Sequence, residues 1–436
     1  MLNRSTVGEI MSDKVRVKNL IIGAGISGLT LAHYLKKDYL ILEKEKEVGG
    51  YCRTIKNPKY VWDYAGHFYH FNTKKMKDLF LSLVEPEEIV SQDKITKIYY
   101  KDSLIDYPFQ MNIHQLEKDE FIDCLYDLYT KNEKETYDNF LDMLYGKFGT
   151  STVEKFLRPY NEKLYATDLK KLDKDAMGRF FPYADFQAII ENMKSSSNKS
   201  YNDKFLYLKK GTQYFIDKLY NNIEKQNIKL DCQVVSIDRN SKSVTTSDGS
   251  VIHYENLINT APLNHFFSYF KDDNLIKIVR SMSYNKVLVL NLGFDKPSNR
   301  YKREHWVYFP NKELNFYRIG FYNNILNTRD LSVYVEIGFS KDQEIDVNKQ
   351  LSLTLENMEK VGILDKSMTL VDKSIVIMNP AYVHISNNTE KELSAIINKF
   401  ENDSIYTLGR YGKWTYCSME DCMLWAEELS SKILIH

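Results

Sequence analysis

The first apolar cluster of the chain is followed at once by glycines. Val17–Ile22 (VKNLII) reads as a short buried strand. Gly23-Ala24-Gly25-Ile26-Ser27-Gly28 interrupts it, and Leu29–Lys36 continues with helical spacing. A second apolar run, Tyr39–Leu42, ends at Glu43. The order strand, glycine turn, helix, strand predicts a βαβ unit.

Residues from about 75 to 200 read as mainly helical. Phe121, Cys124, Leu125 and Leu128 share one helical face, as do Phe140, Leu141, Leu144 and Phe148. The polar, unpatterned run 194–203 reads as a loop. Short β-rich runs return at Gln233–Ile237, Ser243–Thr246 and Leu257–Thr260, with Asp248-Gly249 as a hairpin signal. Alternating runs at Val287–Leu292, Trp306–Phe309 and Val333–Ile337 predict an antiparallel sheet. Leu351–Val361, Glu390–Phe400 and Met423–Ile433 read as helices.

The predicted class is α/β. A discontinuous Rossmann-like dinucleotide domain (15–80, 205–265 and 400–436) carries a mainly helical insertion with a flap (110–204). Residues 81–109 and 266–399 form an antiparallel-sheet substrate domain.

Charge narrows the function classes. The 59 basic and 59 acidic side chains cancel, which argues against nucleic acid or a polybasic membrane anchor as the partner. The five cysteines include no CxxC pair, so neither a disulfide framework nor a metal site is expected, and a reducing, cytoplasmic setting is. Met1–Val15 lacks the apolar core of a signal peptide, and no run is long enough to span a bilayer. The 32 tyrosines stand out against 22 phenylalanines. A tyrosine both stacks and hydrogen-bonds.

Gly23, Gly25 and Gly28 make a GxGxxG motif between a strand and a helix. Gly23 allows the tight turn, Gly25 a close approach to a pyrophosphate, and Gly28 tight helix packing. The helix N-terminus offers unpaired N–H groups to phosphate. Glu43, 20 residues after Gly23, stands where a carboxylate accepts ribose hydroxyls. Gly49-Gly50 with Arg53-Thr54, and later Leu408-Gly409-Arg410, resemble the extended FAD fingerprint of glutathione-reductase-like and amine-oxidase-like flavoproteins. The resemblance implies FAD, with NADH or NADPH as reductant.

Further blocks resemble the flavin-dependent UDP-galactopyranose mutase family. Asp63-Tyr64-Ala65-Gly66-His67 resembles its glycine–histidine loop beside the flavin. Trp306-Val307-Tyr308-Phe309-Pro310 with Asn315-Phe316-Tyr317-Arg318 resembles its Trp-Leu-Tyr-Phe-Pro and Pro-Phe-Tyr-Arg block. Gly409-Arg410-Tyr411-Gly412-Lys413-Trp414-Thr415-Tyr416 resembles Gly-Arg-Phe-Gly-x-Trp-x-Tyr. Tyr160–Tyr165 and Met177-Gly178-Arg179 resemble two shorter blocks.

This resemblance implies a mutase that interconverts pyranose and furanose forms of a nucleotide-activated sugar through a reduced-flavin–sugar adduct. It implies His67, Arg179 and Arg318 as catalytic, the two arginines clamping a pyrophosphate. Substrate contacts fall to Tyr160, Tyr165, Arg179, Tyr308, Tyr317, Arg318, Tyr382 and Tyr416. Cofactor contacts fall to Gly23, Gly25, Ile26, Ser27, Gly28, Glu43, Lys44, Gly50, Tyr51, Gly66, His67, Val234, Arg410 and Tyr416. The implied partner is the nucleotide sugar, and a homodimer is consistent with it. Two departures stand out. Cys417-Ser418-Met419-Glu420-Asp421 replaces the family's asparagine and histidine, and Leu208–Thr212 replaces its Pro-x-x-Gly-Gly turn. The rival readings are an amine-oxidase- or protoporphyrinogen-oxidase-type oxidoreductase and a non-catalytic flavin-binding protein.

Overall fold

Strand β1 (Val15–Ile22) lies inside a seven-stranded sheet, parallel to both of its neighbours, β2 (Tyr39–Leu42) and Val251–Asn259. The connection from β1 to β2 is helix α1 (Ile26–Leu35). This is a computed structural model, and it describes residues 15–195 and 204–435. Across the sheet the order is Val234–Asp238, Ser243–Thr246, Val251–Asn259, β1, β2, Ile228–Lys229, and Ile405–Thr407 also pairs in parallel with Val251–Asn259. Ile21 faces α1 and the C-terminal helix Met419–Ile435, while Leu20 and Ile22 face Leu263, Phe266 and Phe400. With both faces covered, the end of β1 is apolar without alternation. The hairpin expected at Asp248-Gly249 forms, with Gly249 at φ 84° and Thr246 N–H bonded to Ser250 O.

The second sheet has eight strands. Its main order is Leu370–Met378, Ser283–Phe294, Ser332–Ser340, Arg318–Phe321, Trp306–Tyr308, Thr96–Tyr100, Ser103–Asp106. It departs from an all-antiparallel sheet at one seam, where Trp306–Tyr308 runs parallel to Thr96–Tyr100. Leu288, Leu290 and Leu292 point into one core and Val287 and Val289 into another, the period-two pattern of a strand with two packed faces.

Against the second sheet packs a helical layer that includes Lys118–Thr130, Phe140–Phe148, Arg158–Tyr165 and Phe186–Ser195. Its core gathers Phe109, Phe140, Phe148 and Phe156. The mainly helical run 75–200 is interrupted at 89–106, inside the stretch assigned to the sheet domain, by the strands Ile89–Asp93, Thr96–Tyr100 and Ser103–Asp106. Each of these strands is only four or five residues long, and sheet pairing rather than local pattern decides them. The expected flap falls largely at 196–203, outside the described residues. Among the described residues no helix is long and apolar enough to cross a membrane.

Candidate functional site

Two glycine loops meet over the sheet. Gly49 N–H bonds Ala24 O at 2.9 Å, and a Cβ on Gly50 would stand 3.4 Å from Gly25 Cα. Gly50 adopts φ 57°, in the region that favours glycine. Gly23 is at φ 101°, and a Cβ there would meet Thr260 Oγ1. At the end of β2, Glu43 is buried. Its Oε2 accepts from Ala24 N–H at 2.7 Å and its Oε1 from Glu45 N–H at 3.0 Å. The carboxylate is thus fixed beside the glycine turn with lone pairs to spare for a hydroxyl-bearing ligand.

These loops open one end of a cavity of about 560 Å³. Its wall includes Gly23, Gly25, Ile26, Ser27, Glu43, Lys44, Gly50, Tyr51, Gly66, His67, Val234, Arg410 and Tyr416. The expected cofactor contacts therefore share one cavity, Gly28 excepted. Gly28 serves packing instead: a Cβ there would lie 2.1 Å from Gly23 O.

The glycine–histidine loop is pinned from beneath. Asp63 is fully buried and accepts from Thr54 Oγ1, from Tyr207 OH at 2.7 Å and from Thr212 Oγ1 at 2.9 Å. Burial raises its pKa, and these donors pull it back. His67 lines the cavity with Nδ1 on Ala65 O at 3.0 Å. With the proton on Nδ1, Nε2 keeps a lone pair. Burial lowers the His67 pKa and holds the ring neutral.

At the far end stands Arg318, paired through Nε and Nη2 with both carboxylate oxygens of Glu336 (3.0 and 2.6 Å). Around it the cavity wall carries Tyr107, Tyr160, Tyr308, Tyr317, Tyr382 and Tyr416. Tyr308 accepts from Trp306 Nε1 at 3.1 Å, and Tyr382 stacks on Tyr416 with centroids 6.0 Å apart. Lys163 holds the Tyr308 and Tyr317 strands in place. Its Nζ donates to Phe309 O and Asn311 O, each at 2.8 Å, and to Phe316 O. Arg410 lies over Tyr416 and Tyr382 at 4.6 and 5.2 Å, and its Nε is buried without a hydrogen-bond partner among the described residues. An orphaned guanidinium N–H in a cavity wall fits a ligand acceptor.

Two expected substrate residues fall elsewhere. Tyr165 is in the helical core against Phe140 and His384 and does not line the cavity. It follows Tyr160 by five positions, a rotation of about 140° around the helix, so the two cannot share a face. Arg179 is 48% exposed, bonded to Asp421 Oδ1 at 2.6 Å, beside the cavity-lining Phe180 but not itself in the wall. The two-arginine clamp is therefore not assembled. Besides Arg318, the arginines in the cavity wall are Arg53 and Arg410.

Glu336, Tyr107 and Lys94 were missed. Glu336 stands opposite Arg318 in the adjacent antiparallel strand, a pairing visible only from register. Glu420 was missed too, and it fixes the neighbouring chain. It accepts from the backbone N–H groups of Asn72 and Thr73 at 2.8 to 2.9 Å, capping helix Lys74–Leu83 from a distant segment.

Residues 21–83 match the family described as the NAD(P)-binding Rossmann-like domain. The chain is 24% identical over 314 residues to coproporphyrinogen III oxidase of Staphylococcus aureus, covering 63% of this chain and 67% of that one. To protoporphyrinogen oxidase of Dictyostelium discoideum it is 26% identical over 161 residues, 35% of this chain and 29% of that one. Among solved structures, reduced UDP-galactopyranose mutase superposes with a TM-score of 0.90 at 22% identity, covering 96% of this chain and 94% of that one. The shared fold is the α/β flavoprotein fold built on a Rossmann-like dinucleotide domain.

Proposed function

We propose that the chain binds FAD and interconverts the pyranose and furanose forms of a nucleotide-activated sugar in the cavity between Gly25 and Arg318. The observation that carries this reading is the composition of the far wall. Arg318, Arg410 and a ring of tyrosine hydroxyls meet one space with His67. That wall suits an anionic, hydroxyl-rich ligand.

Gly25, Gly50 and the α1 N-terminus would hold the pyrophosphate of the cofactor, Glu43 its ribose, and Arg410 with His67 its ring end. FAD in its reduced form would supply the nucleophile that no side chain here provides. Arg318 has two N–H groups committed to Glu336, and three remain to donate to a substrate phosphate. Glu336 offsets its charge, so recognition there rests on hydrogen-bond geometry more than on net charge. Tyr308, Tyr317, Tyr382 and Tyr416 would orient the sugar. Phe180, Met177 and Pro182 form the helical side of the wall.

A second reading, an FAD-dependent oxidase, is favoured by the identity to the two porphyrinogen oxidases. One experiment separates them. FAD-loaded protein reduced with dithionite is incubated anaerobically with UDP-, dTDP- and GDP-hexopyranoses, and the nucleotide sugars are resolved by chromatography. A new isomer supports the mutase. No isomer with any of them, together with oxygen-dependent turnover of coproporphyrinogen, replaces it with the oxidase.

A further inference from the structure

Cys52, Cys232, Cys417 and Cys422 line the cavity with no part in the chemistry above, and two of them stand together. Cys417 and Cys422 are both buried, both line the cavity, and their Sγ atoms stand 3.7 Å apart. Cys417 lies in the irregular segment just before helix Met419–Ile435, and its carbonyl takes Arg410 Nη1 at 3.5 Å. Cys422 lies in the opening of that helix. The same wall holds Ser27 and Arg410. The thiols thus stand between the glycine loops and the Arg410–Tyr416 segment.

We propose that Cys417 and Cys422 form a redox-active dithiol that exchanges two electrons with a flavin bound in the same cavity. The proposal rests on the FAD reading above. In the exchange, both S–H bonds break and one S–S bond forms. Two electrons and two protons pass from the thiols to the oxidised flavin, and the reverse reaction regenerates the thiols. Bond formation requires the sulfurs to close by about 1.7 Å, to the usual S–S length of about 2.05 Å. Cys417 can supply that movement because no helix holds its backbone.

Either sulfur can donate in the S–H···S contact, and the one that ionises is the attacking sulfur of an exchanging pair. The pair would act as a built-in two-electron store for a protein whose proposed chemistry needs reduced flavin.

The test is an anaerobic dithionite titration of air-oxidised, FAD-loaded full-length protein. Flavin absorbance is followed, and thiols are mapped in parallel by alkylation and peptide mass. Wild type is expected to consume about four electrons per flavin, and Cys417→Ser and Cys422→Ser about two each. Oxidised wild type should show Cys417 and Cys422 resistant to alkylation until treated with dithiothreitol. About two electrons in wild type, with both cysteines alkylated after oxidation, overturns the proposal. A Cys52→Ser variant should keep the wild-type count, and a fall to two would assign the store to Cys52 and overturn the pair. Protein that carries no flavin is recognised before the titration by its missing yellow colour, and that outcome defeats the cofactor reading. The peptide map after ferricyanide oxidation then decides whether Cys417 and Cys422 pair by themselves.

Discussion

Arg318 and Glu336 face each other across adjacent antiparallel strands and share two parallel hydrogen bonds, with Glu336 only 1% exposed. Removing one member of such a pair leaves a buried charge alone, at a cost of about 3–5 kcal/mol. Arg318→Ala is therefore expected to lower stability by that order and to weaken nucleotide-sugar binding while the protein stays yellow. Denaturant unfolding and ligand titration check the two parts. The double variant Arg318→Met, Glu336→Leu should recover most of the stability and none of the binding. Unchanged substrate affinity in both variants would remove Arg318 from the substrate site.

The glycines of the first loop separate binding from folding. A Cβ on Gly25 would meet nothing closer than Gly50 Cα at 3.9 Å, yet it would point into the cleft between the two glycine loops. A Cβ on Gly28 would collide with Gly23 O at 2.1 Å. Gly25→Ala is expected to lose FAD with near-normal urea unfolding, whereas Gly28→Ala should lose about 1–3 kcal/mol of stability. If Gly25→Ala purifies with a full complement of flavin, the cleft is not the pyrophosphate site.

Arg410 should matter more to the cofactor than to the fold. Its guanidinium sits over Tyr416, Tyr382 and Tyr411, and its Nε awaits an acceptor. Arg410→Met keeps the aliphatic packing and removes the donor. FAD affinity measured by fluorescence titration of the apoprotein is expected to fall tenfold or more, a loss of about 1.4 kcal/mol. Affinity within twofold of wild type would place the flavin elsewhere.

Acid should destabilise the protein through its buried histidines, His70, His305 and His384 among them. Burial pulls His305 and His384 each down to about 4. His305 Nδ1 accepts Ile95 N–H at 3.1 Å, and His384 bridges Ser283 Oγ and Tyr165 O. Between about pH 6.5 and 4 the unfolded chain binds protons that the native one refuses, so stability falls as pH falls through that window. The slope is at most about 1.4 kcal/mol per pH unit for each ring. Urea unfolding at a series of pH values measures it, and His384→Gln should lower it by up to about 1.4 kcal/mol per pH unit. A slope unchanged by that substitution would exclude His384.

The parts of the site that could be read in the sequence are those whose geometry is local. Gly23 to Gly28 and Glu43 lie within one βαβ unit, and strand, turn and helix follow from pattern and glycine spacing alone. Tyr308 and Arg318 were legible together because they sit in two neighbouring blocks that oppose each other in one hairpin. What escaped was set by pairing between distant segments. Glu336 reaches Arg318 through sheet register, and Asp421 holds Arg179 across 242 positions. Tyr165 shows the opposite error: its block matched, but helix rotation turned it into the core.

Ile405–Thr407 pairs beside Val251–Asn259, and Arg410 to Cys422 complete the cavity that Gly23 begins. On a ribosome adding about 5–20 residues per second, the Gly23–Gly28 loop would wait about 20–80 s for the rest of its cavity to be made. Through that interval the α1 face that the C-terminal helix later covers stays exposed to chaperones and proteases. Cofactor capture should then be the last event of biogenesis, and a cell short of flavin would accumulate a nearly finished chain with its most vulnerable seam still open.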